Sequence, residues 1–234
     1  MTAILRISRV TACFGGVTAV DDVSFDVAAG ELLGLIGPNG AGKTTIMRSI
    51  TGIVKPDRGK IELNGESLND YPTHRRVRLG LAISQQLVRP FREMTLLDNV
   101  SFATGYKKTE GPMRALFSVA RKSNRERARD LLELVGITDQ RELMASQVPL
   151  GVVKRMEVAR ALALDPKVLL LDEPLAGLNS KEAGKLADTV VTLNERSLTV
   201  VLIEHNLSEV MRVCSRLVVL DNGRKIGDGS PKKV

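Results

Sequence analysis

Eight consecutive residues constrain this chain more than any other feature. They are Gly37-Pro38-Asn39-Gly40-Ala41-Gly42-Lys43-Thr44, and they fit G-x-x-x-x-G-K-[ST] at every fixed position. An apolar run over 31–36 precedes them and a helix-like run over 45–50, opening at Thr45, follows. That order of strand, glycine-rich turn and helix builds a cradle for phosphate. Glycines let the backbone curl until successive N–H groups converge on phosphate oxygens. The following helix adds the positive end of its dipole. Lys43 then supplies a point charge for β- and γ-phosphates, and the Thr44 hydroxyl a ligand for Mg²⁺. The expectation is an α/β chain that binds a nucleotide at residues 37–45.

The rest of the chain supports that class. Val168-Leu169-Leu170-Leu171 lies between Pro166 and Pro174, and Thr199-Val200-Val201-Leu202-Ile203 follows a helical stretch over 180–196. Such continuous apolar runs fit strands buried on both faces of a mainly parallel sheet. The first 30 residues and the last 20 read differently, as short alternating strands such as Ser24-Phe25-Asp26-Val27 and Arg216-Leu217-Val218-Val219-Leu220. Asp221-Asn222-Gly223 then reads as a hairpin turn. Between about 87 and 150 the pattern is helical, with Ala128, Leu131, Leu132 and Val135 at helix spacing. The reading is one α/β domain: a core over about 1–86 and 165–234, a helical subdomain over about 87–164, and antiparallel β-strands at the edges.

The second chemical element is the acid pair that ends an apolar run, Asp172-Glu173. A carboxylate at the carboxyl edge of a buried strand lies beside a phosphate loop and suits Mg²⁺, which keeps much of its hydration. Glu173, one residue on, is placed to act on an attacking water as general base.

Composition narrows the function classes. An apolar content of 43% excludes a disordered chain, and no run approaches the roughly 18 apolar residues of a membrane span. The N-terminal residues lack the layout of a signal peptide. Two cysteines, Cys13 and Cys214, read as reduced core thiols. Aromatics at 3%, with no Trp, argue against a stacking platform for nucleic acid. The net charge of +7 is local, because residues 105–129 carry eight basic side chains against two acids. Such a patch suits an anionic membrane surface or a solvated loop leading into a charged helix; both readings stand.

Together these residues resemble the nucleotide-binding subunits of ATP-binding cassette (ABC) transporters over essentially the whole chain. The resemblance implies a P-loop NTPase core that binds ATP and Mg²⁺ and hydrolyses ATP. It makes Gln86, in Ser84-Gln85-Gln86, the Q-loop glutamine that touches Mg²⁺ and the attacking water; Gln85 is the alternative. His205 is implied as the switch histidine at the γ-phosphate, Phe14 as the aromatic stacked on adenine, and Leu175-Ala176-Gly177-Leu178-Asn179 as the D-loop. The implied partners are a second ATPase subunit and transmembrane permease subunits, at the inner face of the cell membrane and without nucleic acid. The stretch from Phe91 to Val100 and the basic insertion are similar to the ATPases of branched-chain amino acid importers and their urea and amide relatives.

One segment departs from the family. Its signature, Leu-Ser-Gly-Gly-Gln, is replaced by Val148-Pro149-Leu150-Gly151-Val152 ahead of the helix that carries Arg155 and Ala159-Arg160-Ala161-Leu162. Pro149 stands where a serine hydroxyl would reach the γ-phosphate of the facing subunit. Gly151 keeps a backbone N–H for that anion. Losing one charged hydrogen bond costs about 1.5–3 kcal/mol, which predicts weakened closure and favours a heterodimer with one strong and one weak site. Two other functions fit the same residues: a cassette ATPase without membrane partners, and an ATP-binding regulatory subunit with little hydrolysis.

Overall fold

The computed structural model describes residues 3–84, 89–105 and 119–233. In chain order the first half forms β1 (Ala3–Phe14), β2 (Val17–Ala28), β3 (Leu32–Ile36), α1 (Lys43–Thr51), β4 (Arg58–Leu63), β5 (Glu66–Ser67), α2 (Thr73–Arg78) and β6 (Leu81–Ser84). The α-helices α3 (Leu96–Thr104), α4 (Val119–Leu134) and α5 (Leu150–Leu162) follow. The chain then returns through β7 (Val168–Asp172), α6 (Ser180–Glu195), β8 (Thr199–Ile203), α7 (Leu207–Val213), β9 (Arg216–Asp221) and β10 (Arg224–Gly229).

The expected parallel sheet is six-stranded, in the order β10-β9-β3-β8-β7-β6. Only the β10–β9 pair in it is antiparallel; the other neighbours run parallel. Its continuous apolar runs have a plain cause, because successive side chains point to opposite faces and here each face meets a separate core. Leu169, Leu171, Val200 and Leu202 pack with α3, α4, α5 and α6. Val168, Leu170, Val201, Ile203, Leu33 and Leu35 pack with α1 and with strands β1, β2 and β4. Truncating one of these side chains, as in Leu170→Ala, costs about 2–5 kcal/mol.

The edges differ from the sequence reading in two ways. The N-terminal strands are long, 12 residues each, because β-bulges let one hairpin bend without ending. The C-terminal strands join the parallel sheet, and the separate antiparallel sheet, β2-β1-β4-β5, recruits β4 and β5 instead. Asn222-Gly223 does make the predicted turn, with both residues at positive φ (45° and 78°) as a type I′ turn needs. Cys214 is buried and its thiol is pushed up to about 12 by that burial. Cys13 is exposed, so it is no core thiol. The basic segment lies largely outside the described residues. Within them, Arg125 pairs with Asp98 at 3.3 Å and Arg127 with Asp165, both between neighbouring elements.

Candidate nucleotide site

Parallel register assembles the site. Asp172 pairs with Ile203, and Leu35 with Ile203 from the other side, so β3, β7 and β8 end together. The loop after β3, the acids after β7 and the histidine after β8 therefore leave the sheet at one edge.

The loop itself is held by close backbone approach. Gly37 has φ 149°, and a Cβ there would sit 2.1 Å from the Leu220 carbonyl oxygen. Gly42 has φ 97°, and its Cβ would lie 2.7 Å from the Ala19 carbonyl oxygen of β2. Glycine at these positions is thus a packing requirement of the turn as well as a conformational one. Pro38, Asn39 and Gly40 are exposed, while Ala41 is buried against the sheet. Gly42 N-caps α1 with no side-chain cap, which leaves the first N–H groups of that helix to a ligand. Lys43 begins the helix, only 5% exposed, and its Nζ donates to the carbonyls of Gly37 (2.7 Å) and Pro38 (2.9 Å). Thr44 is exposed at the first turn, and Thr45 is half-buried behind it.

Asp172 ends β7 half-buried. Burial, and then the neighbouring charge of Glu173, raise its carboxyl above the ordinary range, while Arg48 and Lys43 pull it back. The Asp172 carboxylate and the Thr44 hydroxyl are hard oxygen donors of the kind that Mg²⁺ takes beside phosphates. Glu173 adopts φ 47°, a left-handed conformation that a non-glycine residue rarely holds. Its N–H donates to the Ile203 carbonyl at 2.9 Å. His205 presents its Nδ1 3.9 Å from Glu173 Oε2 and the same distance from Glu204 Oε2, with the ring more than half exposed.

The sequence reading named further site residues. Phe14 is 48% exposed at the tip of the β1–β2 hairpin, whose second strand carries Ala19 against the loop. Gln86, with its alternative Gln85, lies outside the described residues. Gly151 is buried in the first turn of α5, and a Cβ on it would meet the Glu182 carboxylate at 3.1 Å. Pro149 N-caps that helix and offers no side-chain bond.

Two residues missed by the sequence reading belong to the same cluster. Glu204 is fully buried, and Lys154 of α5 is 6% exposed with Nζ donating to the Glu173 carbonyl at 3.2 Å. Glu204 carries the same signal as Asp172, an acid directly after a buried apolar strand; His205 beside it drew the attention. Lys154 gives no such signal, because α5 is buried on most sides and its sequence has no clean polar face.

Comparison with known proteins finds relatives over nearly the whole chain. The ABC transporter family profile matches residues 20–176. The chain is 37% identical to the high-affinity branched-chain amino acid transport ATP-binding protein BraF of Pseudomonas aeruginosa, over 99% of this chain and 93% of that one. It is 35% identical, over the same shares, to LivG of Escherichia coli K12, which bears the same description. A nucleotide-free ATP-binding cassette from an ABC transporter superposes with a TM-score of 0.86 at 30% identity, covering 98% of this chain and 92% of that one.

Proposed function

The chain belongs to the ABC transporter family as an ATP-binding, ATP-hydrolysing subunit, and from that premise we propose that it drives import of branched-chain amino acids or related small polar solutes. The observation that carries the reading is the convergence of the 37–44 loop, Asp172-Glu173 and His205 at one sheet edge. Lys43 and the loop N–H groups bind the β- and γ-phosphates of ATP. Thr44 and Asp172 would hold Mg²⁺, which when bound neutralises charge on the phosphate oxygens. Glu173 accepts a proton from the water that attacks the γ-phosphorus, the bond to the β-phosphate oxygen breaks, and ADP and phosphate result. His205 contacts the γ-phosphate, Phe14 stacks on adenine, and Gln86 touches the attacking water.

Hydrolysis serves as a switch between subunits. ATP bound by one subunit is clamped by the 148–152 segment of the other, and loss of the γ-phosphate reopens the pair. Pro149 at the N-cap and Glu182 beside Gly151 make this chain's half of the clamp weak for an anion, which supports a heterodimer. The face toward the permease lies in the helical subdomain, over about 87–164. There Phe91 and Phe102 stand exposed edge to face at 5.4 Å, with the Arg160 guanidinium over Phe91 at 5.5 Å. Among the described residues no helix is long and apolar enough to cross a membrane. The chain in this reading sits on the cytoplasmic face of the membrane through its permease.

Mg²⁺-dependent ATPase activity of the purified chain, measured over a range of concentrations, tests the switch. ATP binding with little turnover, restored by a second cassette subunit, is the expected result. Full turnover rising with the square of concentration overturns the heterodimer. ATP-driven uptake of labelled leucine into vesicles holding the whole assembly tests the solute; uptake unaffected by Glu173→Gln refutes the coupling.

A further inference from the structure

We infer that Glu204 is a positioning residue: its buried carboxylate fixes the Glu173 turn and His205 relative to one another, with Lys154 as the cation opposite. The inference rests on the ATPase reading above and extends it to a residue that touches no reacting atom.

The bonds are specific. Glu204 Oε1 accepts the Leu175 N–H at 2.6 Å, and Oε2 accepts the His205 N–H at 3.3 Å. Two residues before Leu175, the Glu173 N–H is held by the Ile203 carbonyl at 2.9 Å. The turn that begins with a left-handed Glu173 is therefore fastened at two points to the end of β8, one of them the Glu204 side chain. Lys154 fastens the Glu173 carbonyl from α5, so a third element grips the same turn. The charge of Lys154 also faces the carboxylates of both Glu204 and Glu173.

A buried carboxylate is a costly way to satisfy two N–H groups, since its charge must be matched in a poorly solvating interior. What the carboxylate adds is two rigidly spaced acceptors on one side chain, each serving a different segment. Held this way, the Glu173 carboxylate and the His205 ring keep their mutual distance while the strained backbone at Glu173 has no freedom to relax. Misplacing a catalytic group by about 1 Å can cost about a hundredfold in rate.

The test uses the full chain in whichever cassette assembly turns over ATP, with Glu173→Gln as the control. Turnover, KM, binding of a fluorescent ATP analogue and thermal unfolding are measured for Glu204→Gln and Glu204→Asp. Glu204→Gln keeps an acceptor for Leu175 but turns an amide donor toward the His205 N–H. Its kcat is expected to fall about ten- to a hundredfold, with ATP-analogue affinity within about twofold of wild type. Lys154→Met is expected to lower kcat in the same way, and the double variant to lose no more than the worse single one, as residues of one unit do. Should Glu204→Gln fail to fold, Glu204→Asp carries the test, because it keeps the charge but cannot reach Leu175. Normal kcat in the folded variant, or a loss confined to ATP affinity, overturns the inference. If Glu173→Gln also turns over normally, the ATPase assignment fails instead, and the two failures are distinguishable.

Discussion

Two helices in this molecule begin beside charged chemistry, and they are built in opposite ways. Helix α1 starts from a glycine-only bend, has no side-chain cap, and places Lys43 at its first position. Helix α5 starts from Pro149, has no side-chain cap either, and has the Glu182 carboxylate of α6 beside its Gly151. Both present the same backbone dipole. The difference teaches that a helix start is only half an anion site; the neighbouring charge decides whether phosphate is welcome. On the proposed reading, one chain carries a strong phosphate cradle for its own nucleotide and a poor one for a partner's.

The sharpest way to break that comparison is to disable the strong site alone. Glu173→Gln is expected to lower turnover by about 10²- to 10⁴-fold, while ATP still binds and holds the subunits together. Size-exclusion chromatography with ATP and Mg²⁺ reads the second part; a variant that hydrolyses normally removes Glu173 as the base. Lys43→Met comes next. It removes the charge that distinguishes α1 from α5, and the loss of a charged hydrogen bond predicts about 1.5–3 kcal/mol of ATP affinity. Titration with a fluorescent ATP analogue measures it, and unchanged affinity would mean the backbone cradle suffices.

The reverse experiment repairs the weak site. Pro149→Ser gives α5 both an N-cap hydroxyl and the group that a facing phosphate lacks. Helix capping alone predicts about 0.5–2 kcal/mol of added stability. Turnover of the chain by itself is expected to rise by up to about tenfold if the new hydroxyl regains part of a charged hydrogen bond. A gain in melting temperature without a gain in turnover would show that Glu182, and not the missing hydroxyl, sets the weakness.

How much of this was legible in the sequence follows the same division. The strong site was written in local signals: the loop spacing, the apolar run before it, and acids directly after a buried strand. Its strands were legible because each faces two cores and so stays apolar over consecutive positions, as at 168–171 and 200–203. The fate of the C-terminal strands was not legible, since nothing local tells β9 to pair with β3 and leave the antiparallel sheet to β4. Lys154 and Glu182 were hidden for a related reason. Each matters through a neighbour distant in sequence, Glu173 in one case and Gly151 in the other, and only the fold brings those pairs together.

The smallest expected effect bears on what the strong site costs the fold. The Asp172 carboxyl titrates above its unfolded value, chiefly through burial and then through Glu173. The folded state therefore holds that proton more tightly than the unfolded one, so this group's contribution to stability is greatest at low pH. It falls as pH rises from the ordinary carboxylate range through the raised folded value, and the whole penalty persists above. Glu204 is shifted the same way, mainly by burial, and adds to the slope. Asp172→Asn cannot ionise, so in nucleotide- and Mg²⁺-free protein it is expected to be more stable than wild type by less than about 1 kcal/mol. The gap should open across that pH window and stay constant beyond it, as urea unfolding at a series of pH values would read. The same variant should lose Mg²⁺-dependent turnover. A variant less stable than wild type at neutral pH would mean that Lys43 and Arg48 outweigh burial, and that the acid stabilises the phosphate site before any ligand arrives.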